Sequence, residues 1–522
     1  MKKYIPHLIC AAGVFSPASP SVQAADPSSA LRWHWNTAGD AEGWTTSGMS
    51  PSAVSNGFFA GISAGNDPYF FSADNLNLNL AGNTKVYIRA RNGSSQTAAA
   101  VYFETTHSPA FTGQYVPFTT VANDPGYTNY EVDMSGHTNW NGTLKRLRID
   151  LPNGASTGAQ IGLDWVAVGE SGTRPNVVFV LCDDFGWNDT SINGSTFYKT
   201  PTLERLADRG IRLTSAYTAN PLCSPTRASI LTGQYPGRLR FTTPAGHLLQ
   251  VILDPVVPST AASTAKLCEP QSCTRLKNEY VTYADIMKTA GYSTAFMGKW
   301  HLGRDPYIPE NQGFDTVIGG RYHSGPPGGY FAPFSEDSNL PTAAAGTHVN
   351  DLLADCAGGF IQTNRNRPFL LNLWFYDVHA PFECKETLRT NYIGKASTDG
   401  RQKCATMGAM VEAMDTGLGR VLDRLEQLGL NDNTIIVFFS DNGGNMYDWS
   451  DGALPTHNWP LRQGKASVYE GGTRVPCVVV WPEKTAPGTV SDGLLSSGDF
   501  YPSLLEMTGL SPAPGEIMDG VS

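Results

Sequence analysis

The sequence predicts an α/β domain with a mostly parallel sheet flanked by helices, preceded by an all-β sandwich of the jelly-roll type. The pattern of the 522 residues changes near Arg174 and Pro175. Before this point, short alternating apolar runs are separated by Gly, Asn, Ser and Thr, which is typical of antiparallel strands. After it, continuous apolar runs alternate with helical patterns, which is typical of a parallel sheet covered by helices. We therefore expect two domains, residues 30–170 and residues 176–522.

The first 24 residues have the pattern of an export signal. Lys2 and Lys3 precede a moderately apolar run from Ile5 to Phe15, and residues 22–24 (Val-Gln-Ala) offer a small-residue cleavage site. No later apolar run is as long as a membrane span. We therefore expect an exported protein without a membrane span, located in the periplasm or secreted.

The composition excludes two other classes of protein. Hydrophobic residues make up 41% of the chain and charged residues 16%, so the chain is globular and not disordered. The formal net charge is -10, and no block is rich in lysine or arginine. This charge argues against nucleic acid as the main partner.

Residues 30–170 contain alternating strand-like runs, for example at 85–91, 100–104 and 146–151. The last run, residues 161–168, resembles the final strand of carbohydrate-binding β-sandwich modules. Aromatic residues are frequent here, and two interpretations remain open: some rings stack on sugars, or the rings pack in the core. The aromatic residues are Trp33, Trp35, Trp44, Tyr69, Phe70, Phe71, Trp140 and Trp165.

The second region reads as strands alternating with helices. Apolar residues recur at every third or fourth position over 403–428, which predicts a long amphipathic helix. Because chemistry collects at the carboxyl ends of parallel strands, the polar clusters that follow these strands are the candidate site. The predicted strands are 176–181, 293–297, 369–376, 434–439 and 476–481, and the shorter predicted helices are 201–209 and 283–290.

Nine cysteines occur in the chain, and none shows the paired CxxC spacing of a structural zinc site. Cys268 and Cys273 flank a short polar loop, so they are one candidate disulfide pair in an oxidising compartment. Cys384 and Cys404 are a second candidate pair. Cys182 and Cys477 lie in apolar strand-like runs, which favours inert core thiols.

Cys223 precedes a predicted helix start. Ser224 is the expected N-cap and Pro225 the expected first helical residue. The cysteine is thereby placed where backbone N–H groups and the helix dipole favour negative charge. Arg227 follows one turn later and adds a cation. The alternative interpretation is a buried cysteine before an ordinary helix that begins with proline.

Oxygen ligands follow two of the predicted strands. Asp183 and Asp184 come directly after the first strand, and Asp441 and Asn442 follow the strand at 434–439. Three carboxylates and one amide oxygen on one sheet edge suit Ca²⁺ or Mg²⁺ and offer nothing soft for zinc or copper.

Cations and imidazoles follow the other strands. Lys299 and His301 lie after the strand at 293–297, His379 lies after the strand at 369–376, and Lys465 lies in a glycine-containing loop. Together they place positive charge and proton donors opposite a metal, which an anionic ester requires.

These motifs resemble the type I sulfatases, a branch of the alkaline-phosphatase superfamily, over residues 176 to about 509. Five separated motifs occur in the family's order, beginning with the Cys-x-Pro-x-Arg pattern at Cys223. The resemblance implies a sulfuric ester hydrolase in which Cys223 is converted to formylglycine by a formylglycine-generating enzyme. The implied substrates are a sulfated polysaccharide or oligosaccharide, or an aryl sulfate.

The resemblance also implies a role for each site residue. One Ca²⁺ would be held by Asp183, Asp184, Asp441 and Asn442. A hydroxyl of hydrated formylglycine would attack sulfur, supported by Arg227 and by Asp441 as a proton acceptor. Lys299, Lys465 and His379 would bind the sulfate, with His379 or Lys465 protonating the leaving alcohol. His301 would accept the proton of the second hydroxyl.

Members of the family usually continue into a small C-terminal subdomain. This sequence stops at Asp519-Gly520-Val521-Ser522, so we expect that subdomain to be missing. Two alternative functions remain open: a phosphonate or phosphodiester hydrolase of the same superfamily, and a truncated, inactive carbohydrate-binding protein. The expected pocket walls are the loops 242–276 and 319–334, the second with Arg321, Tyr322 and His323 as candidate substrate contacts.

Overall fold

A computed structural model describes residues 31–522, apart from 36–37, 56–57, 66, 153–156, 170–173, 262, 366, 483 and 514. The predicted export signal at 1–24 lies outside the described residues. Within them, hydrophobic residues form one cluster in the first region, between residues 31 and 168, and two further clusters from residue 177 onward.

The first region consists of two antiparallel six-stranded sheets. The order in one sheet is β10-β7-β12-β4-β3, with β1 also paired to β12; the order in the other is β2-β5-β11-β8-β9, with β6 also paired to β11. The strands are β1 (Leu31–His34), β2 (Thr45–Ser47), β3 (Met49–Ser55), β4 (Phe58–Ser63), β5 (Tyr69–Phe71), β6 (Leu78–Asn79), β7 (Lys85–Asn92), β8 (Ala98–Thr105), β9 (Tyr115–Thr119), β10 (Thr128–Asp133), β11 (Thr143–Asp150) and β12 (Gln160–Gly169).

Alternating side chains of both sheets fill one shared core, as the period-two pattern predicts. For most of the aromatic residues the core interpretation is confirmed, because Trp33, Trp35, Trp44, Phe70 and Trp140 are all buried. The rings of Trp33 and Trp35 contact the edge of Trp44, with centroids 5.1 and 5.6 Å apart. Tyr69 and Phe71 are half-buried on the other face of their strand.

The second region contains an eight-stranded sheet in the order β16-β15-β17-β13-β18-β19-β14-β20. All neighbouring strands are parallel except β19, which is antiparallel to both β18 and β14. The predicted mostly parallel sheet is therefore confirmed. The strands are β13 (Asn176–Cys182), β14 (Ile211–Tyr217), β15 (Ser293–Gly298), β16 (Thr316–Gly319), β17 (Phe369–Trp374), β18 (Thr434–Ser440), β19 (Cys477–Val480) and β20 (Thr489–Ser496).

Helices cover both faces of this sheet. The predicted amphipathic helix is confirmed as α7, whose apolar stripe is buried. No helix in the described part of the chain has the length and apolar content needed to cross a membrane. The helices are α1 (Pro201–Ala207), α2 (Cys223–Thr232), α3 (Pro236–Leu239), α4 (Tyr283–Thr289), α5 (Val349–Thr363), α6 (Glu386–Arg389), α7 (Ala405–Gln427), α8 (Glu470–Thr473) and α9 (Phe500–Met507).

Both predicted disulfide pairs are wrong. Cys268 is exposed, whereas Cys273 is buried and its thiol contacts the carbonyl oxygens of Leu239 and Leu253. Cys384 and Cys404 are also free thiols. Spacing along the chain suggested the pairs, but a disulfide requires the two Cβ atoms to approach within about 4.5 Å.

Helix α1 is capped by a distant side chain. Its N-cap residue, Thr200, makes no capping bond to the helix and instead hydrogen-bonds Thr190 and Ser191. The carboxylate of Asp415 on α7 accepts the backbone N–H groups of Thr202 and Leu203, both at 2.9 Å. The start of α1 therefore depends on the packing of α7.

We expect Asp415→Ala to lower the free energy of unfolding by about 1–3 kcal/mol, because the backbone N–H groups of the half-buried Thr202 and the buried Leu203 lose their acceptor. Chemical denaturation followed by circular dichroism measures this change. Asp415→Asn keeps one acceptor oxygen and should cost less. Equal stability of the alanine variant and the wild-type protein would show that Asp415 does not cap α1.

Candidate active site

Four parallel strands deliver the predicted polar residues to one edge of the sheet. Asp183 and Asp184 follow β13, and Lys299 follows β15 directly. His379 comes a few residues after the end of β17, and Asp441 directly follows β18. Because these strands are adjacent and parallel, their carboxyl ends meet at the same edge.

Helix α2 brings the cysteine to this edge. The helix begins at Cys223 itself and Leu222 occupies the N-cap position, so the prediction that Ser224 caps the helix is wrong. The Ser224 hydroxyl instead donates to the carbonyl oxygen of His301 at 2.6 Å and accepts the N–H of Ala245 at 2.8 Å. It joins the helix start to two loops of the site.

Asp183 and Asp441 surround the side chain of Arg227. Arg227 is fully buried and donates from Nε and Nη2 to one oxygen of Asp441 at 2.9 and 2.7 Å. Its Nη1 donates to the backbone oxygen of Lys299 at 2.6 Å. The ammonium of Lys299 binds Asp183 and lies 3.6 Å from the Cys223 sulfur. The sulfur also lies 3.6 Å from Asp183.

Asp184 contacts a second set of the predicted site residues. Lys465 donates to its Oδ2 at 2.8 Å, and Nε2 of His379 lies 3.8 Å from the same oxygen. The side-chain amide of Asn442 donates to its Oδ1 at 2.7 Å. All ten predicted site residues except His301 are thus linked directly to one another through Asp183, Asp184 and Asp441.

The position of Lys465 depends on glycines in its own loop and in the loop that faces it. The backbone N–H of Lys465 donates to Gly444, and the N–H of Gly443 donates to Gly472. A Cβ atom added at Gly443 would collide with the carbonyl oxygen of Gly471 in the facing loop, and one added at Gly472 would collide with the carbonyl oxygen of Ser467 in its own loop. Two loops can therefore approach closely only because these positions carry no side chain.

The oxygen-rich set fits a hard divalent cation. The carbonyl oxygen Oδ1 of Asn442 is buried and has no hydrogen-bond partner among the described residues. It lies beside carboxylates, and such oxygens suit Ca²⁺ or Mg²⁺. Geometry alone groups Asp183 and Asp184 with Cys223 and His379, whose potential ligand atoms all lie within 4.8 Å of one another. Asp441 falls outside this group, and one of its oxygens is held by Arg227.

Burial and neighbouring charges set the protonation of the site. Burial and the nearby Asp441 raise the pKa of Asp183, whereas Lys465 and His379 lower the pKa of Asp184 despite its burial. Burial, with Lys299 nearby, lowers the pKa of His379 to about 3. Burial opposes protonation of Lys465, but Asp184 raises its pKa. At neutral pH, Lys465 therefore carries a proton and His379 is a neutral imidazole.

Tyr330 holds His379 in place and was missed by the sequence analysis. Its hydroxyl lies 2.9 and 2.8 Å from the backbone oxygens of Tyr376 and His379. The residue lies in the 319–334 loop, which was predicted as a pocket wall, but no motif distinguishes Tyr330 from its neighbours.

His301 connects the site to an open pocket of about 260 Å³. Its Nε2 lies 3.2 Å from the Ala245 carbonyl oxygen, and its buried Nδ1 has no partner among the described residues. Both predicted loops contribute to the pocket wall. Arg321 does not line it, because this side chain pairs with Glu310 at 2.8 Å. The lining residues are Ala245, Gly246, Leu249, Arg275, His301, Gly303, Arg304, Tyr322, His323 and Ser324.

Arg275 and Arg304 were not among the predicted site residues. Arg304 follows directly after the predicted motif that contains Lys299 and His301, so its position offered a signal. Arg275 lies near the end of the 242–276 loop, where only the fold reveals that it faces His301.

Comparison with known proteins identifies the family. The sulfatase family model matches residues 175–510, so the chain belongs to the sulfatase family. The chain is 32% identical over 367 residues to N-acetylgalactosamine-6-sulfatase of Mus musculus, covering 66% of this chain and 65% of that protein. It is 30% identical to a sulfatase of Formosa agariphila, covering 68% of this chain and 72% of that protein.

Solved structures have a similar fold. The crystal structure of Ps i-CgsB in complex with k-i-k-neocarrahexaose is 27% identical, with a TM-score of 0.55 over 67% of this chain and 75% of that chain. This chain spans about two thirds of the length of the curated N-acetylgalactosamine-6-sulfatases that it matches.

We expect Cys223 to alkylate slowly in folded protein made without a maturation enzyme. Burial raises the pKa of its thiol to about 12, so the reactive thiolate is scarce at neutral or mildly alkaline pH. Iodoacetamide labelling followed by peptide mass spectrometry measures the rate. The exposed Cys268 is the internal control and should label quickly. Comparable rates for both thiols in folded protein would contradict this expectation.

Proposed function

We propose that this protein hydrolyses sulfuric esters of a carbohydrate or an aryl alcohol. The observation that carries the proposal is the position of Cys223 in the first turn of α2, 3.6 Å from both Lys299 and Asp183. A residue at this position lies beside cations that can bind an anionic ester and beside carboxylates that can hold a metal ion. Membership of the sulfatase family supports this reaction.

Cys223 as a thiol is a poor nucleophile in this site, because its pKa is raised to about 12 by burial. We propose that a formylglycine-generating enzyme oxidises it to formylglycine. The hydrated aldehyde supplies one hydroxyl that attacks sulfur and a second whose deprotonation releases sulfate by C–O cleavage. Arg227 orients this position through its bonds to Asp441 and to the Lys299 backbone.

Asp183, Asp184, Asp441 and Asn442 would hold one Ca²⁺. The unpartnered Asn442 oxygen and the three buried carboxylates support this ligand set. Bound Ca²⁺ supplies positive charge that neutralises the sulfate oxygens. Three carboxylates already face three cations, so an added dication creates a net positive site that favours an anionic substrate.

The remaining roles follow from protonation. Lys465 retains its proton and would donate it to the leaving alcohol, whereas neutral His379 would orient the sulfate. Lys299 would bind sulfate oxygens. Burial and nearby cations hold the pKa of His301 well below its usual range, so it is neutral and able to accept a proton. Asp441 would accept the proton of the attacking hydroxyl.

We also propose that residues 30–170 and 176–522 are separate domains, the first a candidate carbohydrate-binding module. Their separate hydrophobic clusters support the division. An export signal at 1–24 would place the protein in the periplasm or outside the cell.

Two rival functions make different predictions. A phosphonate or phosphodiester hydrolase would turn over a phosphodiester faster than the sulfate ester of the same alcohol. An inactive carbohydrate-binding protein would be retained on a sulfated polysaccharide without releasing sulfate.

Peptide mass spectrometry should find the peptide with Cys223 lighter by about 18 mass units when the protein is made with a formylglycine-generating enzyme. Cys223→Ala should abolish sulfate release, because no hydroxyl remains at this position, while thermal unfolding stays cooperative. Cys477→Ala, a buried cysteine in β19, is the matched control and should keep its activity. Activity in Cys223→Ala would falsify the nucleophile assignment.

Asp441→Asn should weaken calcium binding by about tenfold or more, since a charged ligand is replaced by a neutral isostere. Isothermal titration of the metal-free protein with Ca²⁺ measures the affinity. Asp432→Asn is the control, because Asp432 is exposed at the opposite end of β18. Unchanged affinity in Asp441→Asn would remove this residue from the ligand set.

A further inference from the structure

The pocket beside His301 has a strongly positive lining. Two arginines, Arg275 and Arg304, supply this positive charge, and none of the lining residues is acidic. Asp337, which is not a lining residue, accepts a hydrogen bond from the Tyr322 hydroxyl at 2.9 Å and lies 3.2 Å from His323. A pocket of this kind attracts an anion.

Neither arginine has a carboxylate partner in the part of the chain that the structure describes. In the neighbouring loop, Arg321 forms an ion pair with Glu310. Among the described residues, however, no carboxylate lies within ion-pair distance of Arg275 or Arg304. Arg275 is 5% exposed and its Nη1 donates only to the backbone oxygen of Thr274. Burial and the nearby Arg304 lower the pKa of Arg275, as expected for two cations without a counterion.

The pocket geometry directs Arg304 toward a ligand. Its guanidinium stacks on the ring of Tyr322 at 3.6 Å from the centroid, and Tyr322 in turn stacks on His323 at 4.3 Å. This stack fixes the plane of the guanidinium and leaves its N–H donors available for a planar or tetrahedral anion. The unpartnered Nδ1 of the buried His301 belongs to the same pocket.

We propose that this pocket binds a second anionic group of the substrate, a sulfate or a carboxylate, through Arg275 and Arg304. The inference rests on the proposed function, since it names the substrate class for the same site: saccharides with an anionic group next to the sulfate ester that is cleaved. His301 lies between the two anions. A neutral aryl group would leave the buried guanidinium of Arg275 without a counterion, which disfavours aryl sulfates as the main substrates.

The volume agrees with a single sugar-sized unit. About 260 Å³ is slightly below the range of ordinary small-molecule sites, roughly 300–1,000 Å³. The exposed Leu249 adds apolar surface for a ring.

The test compares the affinity of the protein for sugars with two anionic groups and for sugars with one. Protein with unmodified Cys223 is titrated by calorimetry with a panel of monosulfated, disulfated and uronate-containing monosulfated disaccharides. We expect the two-anion sugars to bind about tenfold or more tightly than their monosulfated counterparts. Arg304→Gln should remove this advantage and leave the affinity for monosulfated sugars unchanged. Arg304 is exposed, so its replacement should not disturb folding.

Arg401→Gln is the matched control. Arg401 also stacks on an aromatic ring, at 4.5 Å from the centroid of Trp459, but lies outside the pocket. This variant should keep the full advantage of the second anion. Arg275→Gln, checked first for cooperative thermal unfolding, should behave like Arg304→Gln. Comparison of the disulfated and uronate sugars shows which anion the pocket prefers.

Three results would overturn the proposal: no advantage of the second anion, an advantage that survives Arg304→Gln, or no binding of any two-anion sugar. Sulfate release by matured protein is measured separately. If two-anion sugars bind more tightly but the matured protein releases sulfate from none of the sugars, the proposed hydrolysis is wrong and the proposed anion pocket stands.

Discussion

The charge balance between three buried carboxylates and three cations is the constraint on which the site depends. Asp183, Asp184 and Asp441 have no exposed surface, and an unpaired charge there would be strongly destabilising. Arg227, Lys299 and Lys465 come from three separate segments of the chain. These ion pairs therefore also fix the positions of α2, the loop after β15 and the glycine-containing loop relative to the sheet edge.

The charges of this centre balance one another, whereas the pocket beside it has an excess of positive charge. The Ser224 hydroxyl connects them, because it binds the backbone of both His301 and Ala245, and both residues line the pocket. Any movement of α2 would thus shift the pocket wall along with Cys223. In the pocket, Arg275 and Arg304 have no protein counterion among the described residues, whereas every carboxylate in the centre has a cation. A substrate anion is the group that completes this distribution of charge.

The parts of the fold that were predicted correctly share one property: local pattern and burial agree. β13, β15, β17 and β18 lie in the middle of the sheet and are buried on both faces, so each reads as a continuous apolar run. β16 and β20 lie at the sheet edges, and β14 is half-buried, so their mixed sequences gave no clear signal. Helix α5 contains two adjacent glycines, which weaken a helical pattern.

The sequence alone determined the family, the α/β architecture and the ten candidate site residues. Motifs at strand ends are local in sequence, and adjacent parallel strands place the ends of these strands side by side. Only the tertiary structure decided which groups touch. It showed Leu222 and not Ser224 at the N-cap, left the cysteines unpaired, and turned Arg321 away from the pocket while Arg275 and Arg304 turned toward it. These outcomes depend on contacts between residues far apart in the chain, and sequence spacing carries no information about such distances.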